Sequence, residues 1–389
     1  MSKKQIFYIG NFELPDKNAA AHRVINNAKA LRELDYEVIF IGIHRDNEKA
    51  IKKELFFDFV CYSLPYPNGS KQWIKSLLNI NNYLSIINEY NNKHSIILYN
   101  MPSFIIYKFK TFVTKNSIKI FSDCTEWNQN SINGNIFLSL FKIFDSNLRM
   151  LYLNKKLDGI ISISDYLHKY YNSKTNYSII VPPLVDLSDK KWKIEDVEIK
   201  NFIEIVYAGG AFSIKDKYVK DRLDIVVCAL SKLKEKNFNF VFKVIGCTKE
   251  EFLLFYPMYK DEITNLNENI IFLGKINHLD AIEIIKNASY SIFLRDENKV
   301  TKAGFPTKFV ESISAGTPVL TNKNSNVFDY LENGVNGFMI NAESVDTVVT
   351  SLIPALSVSK EKLKEMKSFT YKSQLFYYKN YINIFKKQF

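Results

Sequence analysis

The stretch IFYIGNFELPDKNAAAHRVINNAKALRELDYEVIFIG, residues 6–42, decides the fold. Two short apolar runs, IFYIG (6–10) and EVIFIG (37–42), flank an amphipathic run, VINNAKALRELD (24–35). Five or six apolar residues suit a strand buried on both faces, whereas the longer run has helical period. A strand, a helical crossover and a second strand predict a βαβ unit with parallel strands. The same rhythm continues through SIILYN (95–100), IKIFSD (118–123) and GIISIS (159–164), so residues 1–185 read as a doubly wound, Rossmann-like domain.

After SIIVPPLVD (178–186) comes the charged LSDKKWKIEDVEIKN (187–201), which reads as an inter-domain connection. The rhythm then restarts with IEIVYAG (203–209), FVFKVIG (240–246), NIIFLG (269–274), YSIFLR (290–295), PVLT (318–321) and GFMI (337–340). Residues 186–370 are therefore predicted as a second Rossmann-like domain. Residues 371–389, with LFYYKNYINIFKKQF (375–389), are predicted as an amphipathic helix packing near the interdomain seam. A length of 389 residues fits two domains.

Composition narrows the function classes. The formal charge of +11 suits an anionic partner, which nucleic acid, an acidic membrane face or a phosphorylated small molecule would each satisfy. Cys61, Cys124, Cys228 and Cys247 lack the spacing of a disulfide framework or a structural zinc and read as reduced and buried. His44, His94, His168 and His278 show no metal spacing, and the chain contains no Asp-x-Asp pair. Without a signal-peptide pattern or a run long enough to span a bilayer, the expectation is a cytoplasmic protein. The apolar and basic stretch at 136–156 fits a core-packing helix better than an interfacial one.

Ligands of parallel α/β domains sit beyond the carboxyl ends of strands, against helix N-termini whose free N–H groups favour anions. The stretch KAGFPTKFVESISAGTPVL (302–320) has that form. Pro306 suits the first helical turn and Gly316 a left-handed stop, predicting a helix from Thr307 to about Ala315. Thr307, Lys308 and Glu311 then share a face able to hold a diphosphate and, one turn deeper, the two hydroxyls of a ribose. Phe309, Val310 and Ile313 point to the core. A second candidate follows IEIVYAG, where Gly209 and Gly210 allow close phosphate approach and Lys215, Lys217, Lys220 and Arg222 lie in the adjoining loop. Lys217 and Arg222 read as solvated charges. Arg295, at the end of YSIFLR, is a further phosphate or sugar candidate.

In the first half, the loop at 10–24 carries Asn18, His22 and Arg23 at a helix start, and it is not the GxGxxG of dinucleotide binders. The loop SDCTEWNQN (122–130) offers Asp123, Glu126 and Trp127. An aromatic ring beside carboxylates suits a sugar, and all of these are acceptor candidates.

Aromatic-Pro-Thr-Lys, then Glu, then Ala-Gly-x-Pro-Val resembles the donor-site helix of the group 1 glycosyltransferases, family 4, of the GT-B fold. The resemblance implies two Rossmann-like domains facing each other across a cleft, and retaining transfer from a nucleotide-diphosphate sugar to a glycan or lipid-linked acceptor, as in bacterial surface polysaccharide synthesis. It assigns the donor ribose to Glu311 and adds Gly304 and Thr307 to the donor set. Where the family has an earlier glutamate, this chain has Ala303, so Asp296 or Glu297 would substitute. The family's arginine position is Gly210, and its phosphate-binding lysine is Lys215 or Lys220, with Lys-Asp-x-Leu at 220–223 favouring Lys220. Gly246 and the turn Gly274 to Ile276 lie where the base is held. Lys220, Lys308 and Arg295 are the expected catalytic cations, with metal-independent chemistry, no cofactor beyond the donor and no nucleic-acid partner. A lipid-linked acceptor would place the protein peripherally at the inner membrane face. The rival readings are a nucleotide-sugar epimerase of GT-B form and a non-catalytic binding protein of the same fold.

Overall fold

A computed structural model describes residues 3–46, 48–127, 136–174, 177–194, 200–215 and 217–389. Parts of two predicted segments, 128–130 of the SDCTEWNQN loop and 195–199 of the charged connection, lie outside the described residues. The chain forms two compact units: Met1–Val185 with Lys302–Phe305 and Tyr378–Phe389, and Asp186–Thr301 with Pro306–Tyr377.

The first unit contains β1 (Lys4–Gly10), β2 (Tyr36–His44), β3 (Lys52–Phe56), β4 (Phe59–Pro65), β5 (Lys93–Tyr99), β6 (Lys119–Cys124), β7 (Gly159–Ser162) and β8 (Tyr177–Ile180) in the order β3-β4-β2-β1-β5-β6-β7-β8. Every pairing is parallel except β3 with β4. The central strands are buried on both faces, which is why they read as unbroken apolar runs. Helices α1 (Ala19–Arg32), α2 (Gly69–Leu78), α3 (Asn81–Asn88), α4 (Ser103–Asn116), α5 (Ile136–Asn147) and α6 (Asp165–Asn172) complete this part. The β3–β4 hairpin gave no sequence signal: Phe57 and Asp58 make its turn with φ of 52° and 62°, where Asn-Gly would be the usual cue.

The second unit holds β9 (Ile203–Ala208), a two-stranded hairpin of β10 (Phe212–Ser213) and β11 (Tyr218–Val219), then β12 (Phe240–Ile245), β13 (Ile270–Gly274), β14 (Tyr290–Phe293), β15 (Val319–Thr321) and β16 (Gly337–Met339). Its main sheet is parallel throughout, in the order β13-β12-β9-β14-β15-β16. The strand order reverses between β9 and β14, so a crevice is expected beyond their carboxyl ends. Helices α7 (Leu223–Glu235), α8 (Lys249–Phe255), α9 (Lys260–Leu266), α10 (His278–Asn287), α11 (Lys299–Ala303), α12 (Thr307–Ser314), α13 (Val345–Leu356) and α14 (Lys360–Ser373) follow the strands, with Lys302 and Ala303 of α11 grouped with the first unit.

Two expectations need revising. Residues 375–389 are not one helix: a 3-10 turn at Tyr378–Tyr381 leads into α15 (Ile382–Lys386). This tail is fastened to the first unit, where the Tyr36 hydroxyl donates to the Phe389 carbonyl at 2.9 Å and the Phe389 ring lies 4.6 Å from that of Phe121. The stretch 136–156 also divides. Met150 and Leu153, in the π-helical turns Leu148–Leu153, are buried, while Ile136, Leu140 and Phe144 of α5 are exposed.

Candidate functional site

α12 starts where the sequence indicated. Pro306 is its N-cap, and Gly316 follows its end at φ 69°. Phe309, Val310 and Ile313 are buried, which fixes the rotation of the helix and leaves Thr307, Lys308 and Glu311 partly exposed.

Lys308 reaches back beneath the end of β9. Its ammonium donates to the Asp221 carboxylate and to the Tyr207 hydroxyl, and lies 4.0 Å from the centre of the Tyr207 ring. The Tyr207 hydroxyl donates to Asp221 Oδ2 at 2.6 Å, and Arg295 Nε donates to Oδ1 of the same carboxylate at 2.6 Å. Asp221 is fully buried. Burial would raise its carboxyl, but the positive charges of Lys308 and Arg295 outweigh that and hold it at about 2. Burial pulls the Lys308 ammonium down to about 8 against the attraction of Asp221, with Arg295 and Lys220 adding repulsion. Lys220 is lowered too, by desolvation and by Arg295, although its side chain as a whole is exposed. Two cations thus meet one carboxylate, with Lys220 nearby, and the cluster keeps a surplus of positive charge.

The backbone around this cluster is close-set. Gly209 adopts φ 121°, and a Cβ there would stand 2.7 Å from Lys308 Cε. A Cβ on Gly246 would meet the Gly209 carbonyl oxygen at 2.3 Å, so the two loops touch backbone to backbone. Gly246 N–H donates to the Gly274 carbonyl at 2.7 Å, joining the ends of β12 and β13. Gly210 faces open space.

The hairpin β10–β11 separates the candidate lysines. Lys215 and Lys217 lie at its exposed tip, whereas Lys220 returns to the site, its N–H donating to the Ala211 carbonyl at 2.8 Å. Arg222 is held by Asp224 at 2.9 Å and by Asp296 at 2.9 Å, so Asp296 is already engaged as an ion-pair partner. Glu311 Oε1 lies 3.3 Å from His278 Nε2, at the start of α10 and near the Gly274–Ile276 turn. Ala303 is buried, and its carbonyl accepts from the Ser164 hydroxyl at 2.7 Å. It and Gly304 belong to the segment grouped with the first unit. Asp221 and Tyr207 were not legible as site residues; the only trace was an acid directly after Lys220.

In the first unit the acceptor candidates fall apart. Arg23 and Asp123 form a buried ion pair, with Arg23 Nη2 2.7 Å from Oδ1 and Nε 3.0 Å from both carboxylate oxygens. Arg23 Nη1 donates to the Val181 carbonyl at 2.8 Å, Tyr8 donates its hydroxyl to Asp123, and Asn27 donates to Tyr8 at 3.0 Å. The guanidinium would lose charge by burial, but Asp123 raises it above its ordinary value. These two residues are engaged with one another in a buried network inside the unit. Asn18 caps α1 by accepting from the Ala21 N–H at 2.9 Å. Trp127 is buried against Tyr166 and Tyr170. His22 and Glu126 remain half-buried beside these elements. The open space lies elsewhere. A cavity of about 540 Å³ beyond the carboxyl ends of β1, β2, β4 and β5 is lined by Asn11, Tyr66, Gln72, Trp73, Asn82 and Met101, among others.

Among the described residues no cluster of His, Cys, Asp or Glu could hold a metal ion. No helix in those residues is long and apolar enough to cross a membrane.

Residues 214–373 match the family described as Glycosyl transferases group 1. The two Rossmann-like sheets match the fold of GT-B glycosyltransferase structures. No curated protein matches the chain by sequence. Among solved structures, sucrose-phosphate synthase (tll1590) from Thermosynechococcus elongatus superposes with a TM-score of 0.70 at 10% identity, covering 99% of this chain and 98% of that one. A glycosyltransferase from Rickettsia africae ESF-5 gives 0.67 at 14% identity over 100% and 99% of the two chains. Anabaena Alr3699/HepE in complex with UDP and glucose gives 0.63 at 13% identity over 99% and 98%.

Proposed function

We propose that this chain is a retaining glycosyltransferase that transfers a sugar from a nucleotide-diphosphate sugar to a glycan or lipid-linked acceptor, in bacterial surface polysaccharide synthesis. The observation that carries the reading is the buried Asp221 carboxylate shared by Lys308 and Arg295, beside Gly209 and next to Lys220. A diphosphate brings the charge that such a cluster lacks. Lys220, Lys308 and Arg295 hold its oxygens, and the N–H groups at the start of α12 add to them. Thr307 and Gly210 border the same space, Glu311 takes the ribose hydroxyls, and the Gly274 turn holds the base. The complex of Anabaena Alr3699/HepE with UDP and glucose supports a donor of this kind.

In the transfer, the bond between the anomeric carbon and the diphosphate oxygen breaks while the acceptor hydroxyl oxygen bonds that carbon on the same face. The hydroxyl proton passes to the departing phosphate. Negative charge grows on the diphosphate, and fixed cations in a partly desolvated site stabilise it without rearranging. The chemistry proceeds without a metal ion, and activity in excess chelator tests this. The cavity of the first unit, with Trp73 and Tyr66 beside carboxamides, is the acceptor pocket.

The deciding experiment measures thermal stabilisation of the protein by a panel of nucleotide-diphosphate sugars, followed by product analysis with the donor that binds. One donor should stabilise the wild type strongly and neither Lys308→Ala nor Glu311→Ala. Stabilisation that survives both substitutions would refute the site. Conversion of the donor without acceptor would identify an epimerase instead, and binding without turnover a non-catalytic protein.

A further inference from the structure

We infer that His278 is a positioning residue for the nucleotide: it holds the Glu311 carboxylate in the orientation that accepts both ribose hydroxyls, and so makes the site select ribonucleotides over 2′-deoxyribonucleotides. The inference rests on the ribose role given to Glu311 above. Glu311 Oε1 lies 3.3 Å from His278 Nε2, and with its proton on Nε2 the imidazole donates to that oxygen. Among the described residues, His278 is the one side chain bonded to the Glu311 carboxylate. The lysine on the same helix is engaged elsewhere, because Lys308 donates to Asp221 and Tyr207.

Both partners are mounted on fixed supports. The buried Phe309, Val310 and Ile313 hold α12, and the buried Ile282 and Ile285 hold α10 beside it. Asn277 caps α10 by accepting from the Asp280 N–H at 2.9 Å, and its carboxamide donates to the Asp280 carboxylate, which keeps that acid on its own cap. An imidazole turns about two torsions, whereas a glutamate turns about three and loses rotamer freedom when a ligand fixes it. Tying Oε1 to a short, stiff ring moves that loss from binding to folding. The Glu311 and His278 side chains stay 30% and 42% exposed, so a ligand can reach the carboxylate while it is tied. At that exposure the pair adds little to stability, and its effect falls on the ligand. A fixed carboxylate accepts from two vicinal hydroxyls, one at each oxygen, while a loose one turns to follow whichever hydroxyl is present. Fixing it therefore penalises a sugar that lacks one, since an acceptor is left without its donor.

The test measures the affinity of the full chain for ADP, GDP and UDP and for the 2′-deoxy form of each. With the base that binds tightest, the wild type should prefer the ribonucleotide roughly tenfold. His278→Ala should bring that preference below about threefold, chiefly by weakening the ribonucleotide. His278→Gln, whose carboxamide N–H reaches the same oxygen, should restore it, with thermal unfolding of the free protein unchanged in both variants. A preference that survives His278→Ala, an equal loss of both nucleotides in that variant, or a His278→Gln no better than His278→Ala would overturn the inference. Glu311→Ala separates it from the reading beneath it. A preference lost in Glu311→Ala but kept in His278→Ala removes His278 alone. A preference kept in Glu311→Ala, or a wild type that binds none of the three nucleotides, removes the ribose role and this inference together.

Discussion

Replacing Gly209 by alanine probes the proposed phosphate site without removing any of its charges. The new Cβ would lie 2.7 Å from Lys308 Cε and 3.1 Å from Nζ, against a favourable carbon–carbon separation of about 3.5–4.0 Å. Lys308 must therefore retreat by about 1 Å, and its ammonium cannot do so while bonded to both Asp221 and Tyr207. Loss of one charge-assisted hydrogen bond costs about 1.5–3 kcal/mol. Holding alanine at φ 121° adds about 1–3 kcal/mol of backbone strain. The sum, about 2.5–6 kcal/mol, should appear in urea unfolding followed by a probe in the second unit. Gly210→Ala is the matched control, because no atom lies within 4 Å of its Cβ, and it should stay within about 0.5 kcal/mol of wild type. Displacement of Lys308 should also weaken nucleotide-diphosphate binding about tenfold or more. Equal stability of the two alanine variants, or undiminished nucleotide affinity in Gly209→Ala, would refute the reasoning.

Nucleotide-diphosphate affinity should fall as pH rises through about 8, because Lys308 is charged below that value and neutral above it. Titration calorimetry in buffers of different ionisation heat should register proton uptake on binding near that pH, since an anion favours the charged ammonium. Arg23→Met should destabilise the first unit by about 3–5 kcal/mol in thermal or urea unfolding by stranding the buried Asp123. A fully stable Arg23→Met variant with a raised acceptor KM would place Arg23 in the acceptor site. Trp73→Ala should raise the acceptor KM about tenfold, the equivalent of about 1.4 kcal/mol of lost apolar contact, and leave nucleotide affinity unchanged.

The parallel sheets were legible because a strand buried on both faces, such as Phe7 to Ile9, writes itself as an uninterrupted apolar run. α12 was legible because Pro306 and Gly316 mark its ends and Phe309, Val310 and Ile313 its buried side. The pairing of Arg23 with Asp123 was not legible, for a physical reason. A charged residue at a strand end reads the same in sequence whether it faces solvent or closes an ion pair with a partner 100 positions away. Asp221 was invisible for the converse reason. Its importance comes from Arg295 and Lys308, 74 and 87 positions away, and no local spacing records that. The exposed stripe of α5 reads in sequence as a core face because periodicity gives the width of an apolar face but not what covers it.

The β10–β11 hairpin has an evolutionary consequence. Both Lys220 N–H and Asp221 N–H return to the Ala211 carbonyl, so the chain leaves and re-enters at one fixed anchor. Whatever is spliced between 214 and 217 projects outward from that anchor. Insertions and deletions at the tip are thereby insulated from the chemistry, and this loop could acquire new reach toward different substrates while the lysine at its base stays put.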